Sequence, residues 1–199
     1  MFLRFLRSRS FGTYNFSGVI LNTLFLIIAL FCIVVIAITA FSPRGVDGAS
    51  QIFGHELRIV ESNSMESHPD TDVSEYEIGS FRKNTMVALE LVPKGESEAF
   101  DWYSAVAVGD VLTVRYTYNR QVTITHRVTA VTPKKDGSGF IIELQGDNAD
   151  SDATQLTQVI DTSETESLNY VIGKVVWKSY FLGVVIGGFQ RVAKSFAGE

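Results

Sequence analysis

The sequence predicts a mainly β domain of antiparallel strands, preceded by one N-terminal transmembrane helix. Three observations lead to this fold class: a long uncharged apolar segment lies near the N-terminus, short segments rich in β-branched and aromatic residues follow it, and turn-forming residues separate those segments. The length of 199 residues allows one modest domain beside the helix. The single cysteine, Cys32, excludes an intramolecular disulfide framework and any multi-cysteine metal site.

Residues 16–41 form the predicted transmembrane anchor, because this segment contains no charged residue. Roughly 20 apolar helical residues span the hydrocarbon core of a bilayer. A buried core helix of this length would show a polar stripe, and a cleaved signal peptide would have an apolar run of about 7–15 residues, so both alternatives fit less well. Three arginines precede the segment and only Arg44 closely follows it. The positive-inside rule therefore places residues 1–15 in the cytoplasm and the chain from residue 42 onward outside the cell membrane.

Residues 42–178 are predicted as an extracytoplasmic β-domain. Apolar and polar residues roughly alternate from Val111 to Tyr118, which is typical of a strand with one buried face. The dipeptide Asn119-Arg120 leads directly into the next strand as in a tight hairpin, and residues 134–139 have the composition of a second turn. The predicted strands are Glu56–Glu61, Met86–Val92, Asp110–Tyr118, Gln121–Thr132, Gly139–Gln145 and Tyr170–Lys178.

The remaining parts of the chain are predicted as loops and an apolar tail. Residues 68–77 and 147–167 are polar and acidic, as surface loops are, and the acids at 150–152 lack the central glycine and downstream glutamate of a calcium loop. After residue 42, no helix longer than two turns is expected, except over Phe189–Phe196. The segment 179–199 begins with an apolar run too short to cross a bilayer, so two alternatives stay open: it packs on the core, or it lies in the membrane interface.

The charge balance excludes one class of partner. The chain has 17 basic and 22 acidic residues, and all but three of the basic residues lie after residue 41 together with every acid. Residues 42–199 therefore have a net charge of −8. A sequence-independent nucleic-acid binder needs a basic face, so nucleic acid is not expected as a partner. With three histidines and one cysteine, no metal or other cofactor is expected.

Three short segments carry side chains suited to catalysis. Ser62-Asn63-Ser64-Met65 follows a predicted strand, where a sharp turn can hold a serine rigidly, as a nucleophile requires. His126 lies within a predicted strand, and Gly146-Asp147-Asn148 follows another, where an aspartate can accept the Nδ1 proton of an imidazole. Taken singly, these segments have ordinary interpretations as a serine-rich turn, a core histidine and an Asx turn. Their order along the chain favours one active site.

The combination of these segments resembles the type I signal peptidases, and specifically their Ser-His branch in the endoplasmic reticulum, in archaea and in some Gram-positive bacteria. Five segments match the family's motifs in the family's order, and His126 stands where the better-known bacterial branch has lysine. The matching segments are Ser62-Asn63-Ser64-Met65, Gly109-Asp110-Val111, Thr125-His126-Arg127-Val128, Gly146-Asp147-Asn148 and Ile172-Gly173-Lys174-Val175. The resemblance covers the anchor and most of residues 56–178.

This resemblance implies a membrane-anchored serine endopeptidase that removes signal peptides from exported preproteins. Its partners would be the signal peptides and the lipid bilayer, with the protein-export channel as a further candidate. Ser64 would be the nucleophile and His126 the general base, and Asp147 or Asp152 would orient the histidine. The Ser64 N–H and the Ser62 hydroxyl would bind the oxyanion.

Two departures from the family's pattern concern the loops. Ser67 stands where the family usually has proline, and an acidic insertion separates Ser64 from the next predicted strand. Asp152 aligns with the family's second aspartate better than Asp150, but with a small displacement. Two other interpretations stay open: a non-catalytic membrane-anchored β-domain for binding or assembly, and an inactive peptidase relative. Only the active enzyme requires Ser64, His126 and an aspartate to converge.

Overall fold

The computed structural model describes residues 16–41, 49, 51–52, 54–116, 119–148, 157–164 and 171–197. The predicted cytoplasmic segment 1–15 and the predicted catalytic residue Asp152 lie outside the described residues. The chain divides into two compact units, Met1–Ser42 and Pro43–Glu199.

In the first unit the structure describes helix α1 (Phe16–Phe41), whose 26 residues include no acid and no base. Large apolar side chains of this helix are exposed; Phe25, for example, is 73% exposed. Within the described part of the chain, no helix meets the length and apolarity required of a membrane span. The structure therefore supports the helix at the predicted position, but it does not support the membrane-spanning part of the prediction.

The second unit is built on one antiparallel sheet of eight strands in the order β1-β2-β3-β8-β4-β5-β6-β7. The mainly β fold class is thus confirmed. The strands are β1 (Gln51–Ile52), β2 (His55–Ile59), β3 (Met86–Leu91), β4 (Val111–Tyr116), β5 (Asn119–Pro133), β6 (Phe140–Gln145), β7 (Gln158–Asp161) and β8 (Val171–Ser179).

All six predicted strands are present, and both predicted hairpins join them. Strands β4 and β5 pair so that Tyr116 lies opposite Asn119, which places Asn119 and Arg120 in β5 and not in the turn. The second hairpin is closed by the Lys134 N–H, which donates to the carbonyl of Gly139 over 2.9 Å. Gly137 within its turn has φ +69°, a value that glycine adopts without strain.

Two short strands and one helix were not expected, and a second helix is longer than expected. Strand β7 lies inside the stretch 147–167 that was predicted as a loop, and β1 is only two residues long. Helix α2 (Glu96–Ser104) has acids in its first turn, where they stabilise the helix dipole, and it buries Ala99 and Tyr103. Helix α3 (Tyr180–Ala197) includes the predicted stretch Phe189–Phe196 but begins much earlier.

The first half of helix α3 escaped prediction because it has the composition of a strand. Its residues 180–189 are mostly aromatic, β-branched and glycine, which are poor helix formers. Two features favour the helix in the folded protein. The Ser179 Oγ caps the first turn by accepting a hydrogen bond from the Leu182 N–H over 3.3 Å. Gly183 lets the helix approach the backbone of Asn84, where a Cβ would overlap the carbonyl oxygen.

Apolar side chains cover both faces of the sheet. Leu112 on β4 belongs to one buried cluster, together with residues of β5, β6 and α2, whereas its neighbour Val111 belongs to a second cluster. Successive residues of a strand point to opposite faces, so each cluster lies on one face. The second cluster includes Met65, the residue that follows Ser64. The turn that carries Ser64 is therefore fixed to the core by its own sequence neighbour.

Candidate active site

Ser64 lies in a turn between β2 and β3 that is held at both ends by backbone hydrogen bonds. The Val60 N–H donates to the Thr85 carbonyl over 2.9 Å, and the Phe81 N–H donates to the Met65 carbonyl over 2.7 Å. Ser64 is only 3% exposed. Its Oγ lies 3.1 Å from the Oγ of Ser62, so the two predicted oxyanion-site residues are neighbours. The turn is a fixed structure that presents two hydroxyl groups together.

The turn after β6 packs directly against the Ser64 turn. The Asn148 N–H donates to the Ser64 carbonyl over 2.9 Å, and the Asn148 Nδ2 donates to the Asn63 carbonyl over 3.2 Å. These bonds bring the segment Gly146-Asp147-Asn148 against Ser62-Asn63-Ser64-Met65. The structure thus unites two of the three sequence segments that were predicted to form the active site.

His126 is buried in the middle of β5, where only 1% of the residue is exposed. Its cross-strand partner is Leu112, on the face of the first core cluster. Neither ring nitrogen has a hydrogen-bond partner among the described residues. Burial lowers the pKa of His126 to about 4, and the negative charge of Asp147 opposes part of that shift. The imidazole is therefore neutral at physiological pH.

Asp147 forms a buried ion pair with Arg127 and is only 2% exposed. The Arg127 Nε donates to Asp147 Oδ1 over 2.8 Å, and the Arg127 Nη2 donates to Asp147 Oδ2 over 2.7 Å. Such a two-point contact between a guanidinium and a carboxylate fixes the geometry of both groups. The Ser80 Oγ adds a third hydrogen bond, which it donates to Asp147 Oδ2 over 2.8 Å.

The predicted hydrogen bonds to His126 are therefore not formed between the described residues. Asp147 binds Arg127 instead of His126. Asp147 lies just after Gln145, and Gln145 is the cross-strand partner of Arg127. Because successive residues of a strand point to opposite faces, His126 points away from the face of β5 that carries Arg127. Since neither imidazole nitrogen has a partner in this part of the chain, the Ser64 Oγ does not bind His126 either. Asp152, the other candidate for orienting the histidine, lies outside the described residues.

The acidic insertion contributes to the site, which the sequence did not indicate. We call residues 66–80 the acidic strap. Its Ile78 carbonyl and the Gly109 carbonyl accept hydrogen bonds from the Arg127 Nη1 over 2.8 and 2.7 Å. The ring of Tyr76 lies 5.0 Å from the Arg127 Cζ and fills the space in which a Cβ on Gly109 would be. The strap thus covers the ion pair between Arg127 and Asp147.

Lys178 on β8 holds the end of the acidic strap. Its Nζ donates to the carbonyls of Gly79 and Ser80 over 2.6 and 2.8 Å. Burial, with a contribution from the positive charge of Arg127, lowers the pKa of Lys178. Strand β8 is therefore connected through the strap to the residues around Asp147.

A cleft of about 430 Å³ opens beside the strap. It lies next to the Ser64 turn along the chain but does not include Ser64 or His126 among its lining residues. The cleft is lined by Glu66, Ser67, Ser80, Phe81, Arg82, Thr85, Lys178 and Tyr180.

The structure identifies three site residues that sequence reasoning missed: Arg127, Ser80 and Tyr76. A signal for Arg127 was available, because an arginine that is buried within a strand requires an acid or carbonyl partner, and Arg127 precedes the apolar Val128 in the interior of β5. Ser80 and Tyr76 lie in the insertion, and their residue types gave no indication of contact with Asp147 and Arg127. Within the described residues, no group of three or more His, Cys, Asp or Glu side chains is arranged to hold a metal ion.

Chemically, the described residues offer a fixed pair of hydroxyls at Ser62 and Ser64 and, separately, a neutral buried imidazole at His126. A hydroxyl and an imidazole are the groups that acyl transfer by a serine nucleophile uses, but here they are not hydrogen-bonded to each other, and the Asp147 carboxylate is bound by Arg127. No protein-family model matches this sequence, and no match is found among curated proteins.

Proposed function

We propose that this chain is a serine endopeptidase of the type I signal peptidase kind, in its Ser-His branch, and that it removes signal peptides from exported preproteins. One observation carries the proposal. The Ser64 carbonyl accepts a hydrogen bond from Asn148, and the adjacent Asp147 binds Arg127, the neighbour of His126. Three segments that are distant in the sequence, and that match the motifs of this family, are thus connected by direct contacts.

In the proposed reaction, the Ser64 Oγ attacks the carbonyl carbon of the peptide bond that follows the signal peptide. His126 accepts the hydroxyl proton and then donates it to the leaving amine, which leaves an acyl-enzyme that water hydrolyses. The Ser64 N–H and the Ser62 hydroxyl stabilise the oxyanion. The distance of 3.1 Å between the Ser62 and Ser64 hydroxyl oxygens is suited to that role for Ser62.

His126 has the protonation state that a general base requires, because an imidazole with a pKa of about 4 is neutral at pH 7. Its basicity is low in this buried state, since a general base works best with a pKa near the working pH. Catalysis requires the Ser64 Oγ and the His126 Nε2 to come within hydrogen-bond distance. Such hydrogen bonds are often long in unliganded enzymes and shorten when the substrate binds. Arg127 and Asp147 act in this proposal as positioning residues, because they fix the turn that supports Ser64.

The membrane part of the proposal rests on the sequence. The uncharged segment 16–41 would anchor the enzyme with its N-terminus in the cytoplasm and residues 42–178 on the extracytoplasmic side. A signal peptide also carries an apolar segment that enters the bilayer. Enzyme and substrate would then meet within the same two-dimensional layer, which raises their effective concentration. The export channel is a candidate partner for the same reason.

A processing assay with single variants tests the proposal. We expect Ser64→Ala and His126→Ala to reduce cleavage of a preprotein by a factor of at least about 10³, because each removes a reacting group. Ser97→Ala and His68→Ala are matched controls, since Ser97 is exposed on α2 and His68 lies in the acidic strap. Cleavage at the normal rate by the Ser64 or His126 variant would contradict the proposal.

The same assay tests the alternative that this chain is an inactive peptidase relative. The absence of a hydrogen bond to His126 among the described residues favours that alternative. This alternative predicts that purified wild-type protein does not cleave any preprotein and that its serine does not react with an acylating inhibitor. A burst of acylation at Ser64 that disappears in Ser64→Ala would exclude it.

A further inference from the structure

Helix α3 is attached to the sheet along one side. Gly183 is buried against the backbone of Asn84 and Met86, where a Cβ would overlap both. One turn later, Gly187 faces Ile59 on β2, since a Cβ at that position would lie 3.4 Å from the Ile59 Cδ1. These two glycines fix the rotation of the helix about its axis. The side opposite to them consequently points away from the sheet.

That opposite side is apolar and exposed. Phe181, Val185 and Phe189 recur at intervals of four residues, so they lie on one side of the helix, and Phe181 and Phe189 are 73% and 68% exposed. We call the exposed residues here the α3 apolar face. It consists of Phe181, Val184, Val185 and Phe189. Soluble domains scatter single apolar residues over their surface, but a continuous row of this kind marks an interaction site.

The charges around this face differ from those of the rest of the unit. Residues 42–199 have a net charge of −8, yet α3 contains Arg191 and Lys194 and no acid. Arg191 is exposed, and its Nε donates to the Gly187 carbonyl over 3.1 Å, which holds the guanidinium beside the helix. The face therefore combines apolar residues with positive charge in an otherwise acidic domain.

Two more cations lie where α3 begins. The Arg82 guanidinium stacks on the ring of Tyr180, with its Cζ 3.7 Å from the ring centroid. Lys178 lines the same cleft as Arg82, one residue before the Ser179 cap. Aromatic residues beside arginine and lysine are typical of segments that lie at the boundary between lipid headgroups and acyl chains.

We propose that the α3 apolar face binds the surface of a bilayer containing anionic phospholipid. Phe181, Val185 and Phe189 enter between the headgroups, while Arg82 and Arg191 contact the lipid phosphates. The charges near the face favour this occupant over a second copy of the chain, because two copies that met here would bring their Arg82 and Arg191 side chains together, whereas an anionic surface attracts them. This contact is separate from the proposed anchor at 16–41, and it does not depend on peptidase activity.

The test uses the full chain in lipid nanodiscs. Replacing Trp102, Trp177 and Phe181 in the triple variant Trp102→Phe, Trp177→Phe, Phe181→Trp leaves a single tryptophan, which lies on the α3 apolar face. The probes are phosphatidylcholine discs with brominated acyl chains, with and without about one-third phosphatidylglycerol. We expect bromine to quench this tryptophan, more strongly in the anionic discs. We expect Val185→Ser with Phe189→Ser, added to that reporter chain, to reduce the quenching by about half or more, because the face loses two of its exposed apolar side chains.

Charge variants test the electrostatic contribution to bilayer binding separately from the apolar contribution. Arg82→Gln with Arg191→Gln is expected to abolish the difference between anionic and neutral discs. Lys135→Gln with Lys94→Gln removes two positive charges elsewhere on the surface and is expected to preserve the difference between the two kinds of disc. Thermal unfolding of each variant checks the fold, which these exposed positions should leave intact. Quenching that is absent, or equal for the reporter chain and the double serine variant, would overturn the proposal. So would a dimer in detergent that the double serine variant dissociates, because a second copy would then cover the face.

Discussion

At the scale of single residues, the site depends on how Arg127 is satisfied. A guanidinium that is buried in a strand must give its N–H groups to acceptors, and Arg127 gives them to Asp147, Ile78 and Gly109. Breaking a buried pair by removing one charge is costly, because the other charge then stays buried without compensation. The same geometry explains why Asp147 is not available to His126.

The substitution Asp147→Asn tests the energetic part of this argument. We expect it to lower the free energy of unfolding by about 3–5 kcal/mol, since Arg127 would keep its charge without a carboxylate. Denaturant unfolding followed by circular dichroism measures the loss. Asp161→Asn is the matched control: it removes an acid from the partly exposed pair with Lys134, where solvent screens the interaction. Equal losses in both variants would show that Asp147 is not compensating a buried charge.

At the scale of elements, helix α1 and most strands were predictable, whereas α2, the first half of α3 and the strap were not. Alternation and turn residues located β2 to β6 and β8, because each of these strands has its own pattern of buried and exposed residues. Strand β7 was missed since only Val159 and Ile160 mark it within a polar stretch. Helix α3 depends on contacts of Gly183 with a distant strand, and no local pattern reports such contacts.

The candidate site was also predictable only in part: its residues could be identified from the sequence, but their contacts could not. Ser64, His126 and Asp147 were identified from short segments and from a family resemblance, and the structure brings Ser64 and Asp147 into adjacent turns. Which side chain binds Asp147 depends on the register of β5 against β6 and on the direction of alternation, and Ser80 reaches Asp147 only because the strap folds back. Long-range register of this kind cannot be derived from the order of residues alone.

The contact between the strap and Gly109 gives a prediction at this scale. Gly109 has φ +98°, and a Cβ there would overlap the Tyr76 ring, so Gly109→Ala should destabilise the protein through both backbone strain and displacement of Tyr76. Gly137→Ala is the control, because Gly137 also has positive φ but faces open space. A double-mutant cycle with Tyr76→Ala should show a coupling of about 0.5–3 kcal/mol for Gly109→Ala.

The double-mutant cycle separates the overlap with the Tyr76 ring from the backbone strain that a positive φ causes. The coupling of Tyr76→Ala with Gly137→Ala should be close to zero, since the two positions share no contact. Equal behaviour of the two glycine variants in both backgrounds would mean that the strap does not rest on Gly109.

At the scale of the whole molecule, the stability of the second unit should report the burial of His126. A folded-state pKa of about 4, below the usual 6.5, means that the unfolded chain takes up a proton first as the pH falls. The neutral buried imidazole thus contributes stability above about pH 6.5, and that contribution is lost as the pH falls toward 4. The full difference corresponds to about 3 kcal/mol.

The variant His126→Leu isolates the contribution of His126 to the pH dependence of the free energy of unfolding from the contributions of the carboxylates, which also titrate in acid. Leucine suits the neighbouring core residue Leu112 and removes two buried nitrogens that have no partner among the described residues. We therefore expect the variant to be at least as stable as wild type at pH 7, and its advantage to grow by about 3 kcal/mol between pH 6.5 and pH 4. Unfolding titrations at several pH values measure the difference. Parallel profiles would mean that solvent reaches the imidazole in the folded state, whereas the expected divergence would mean that the imidazole stays buried and neutral in the folded protein until the pH falls toward 4.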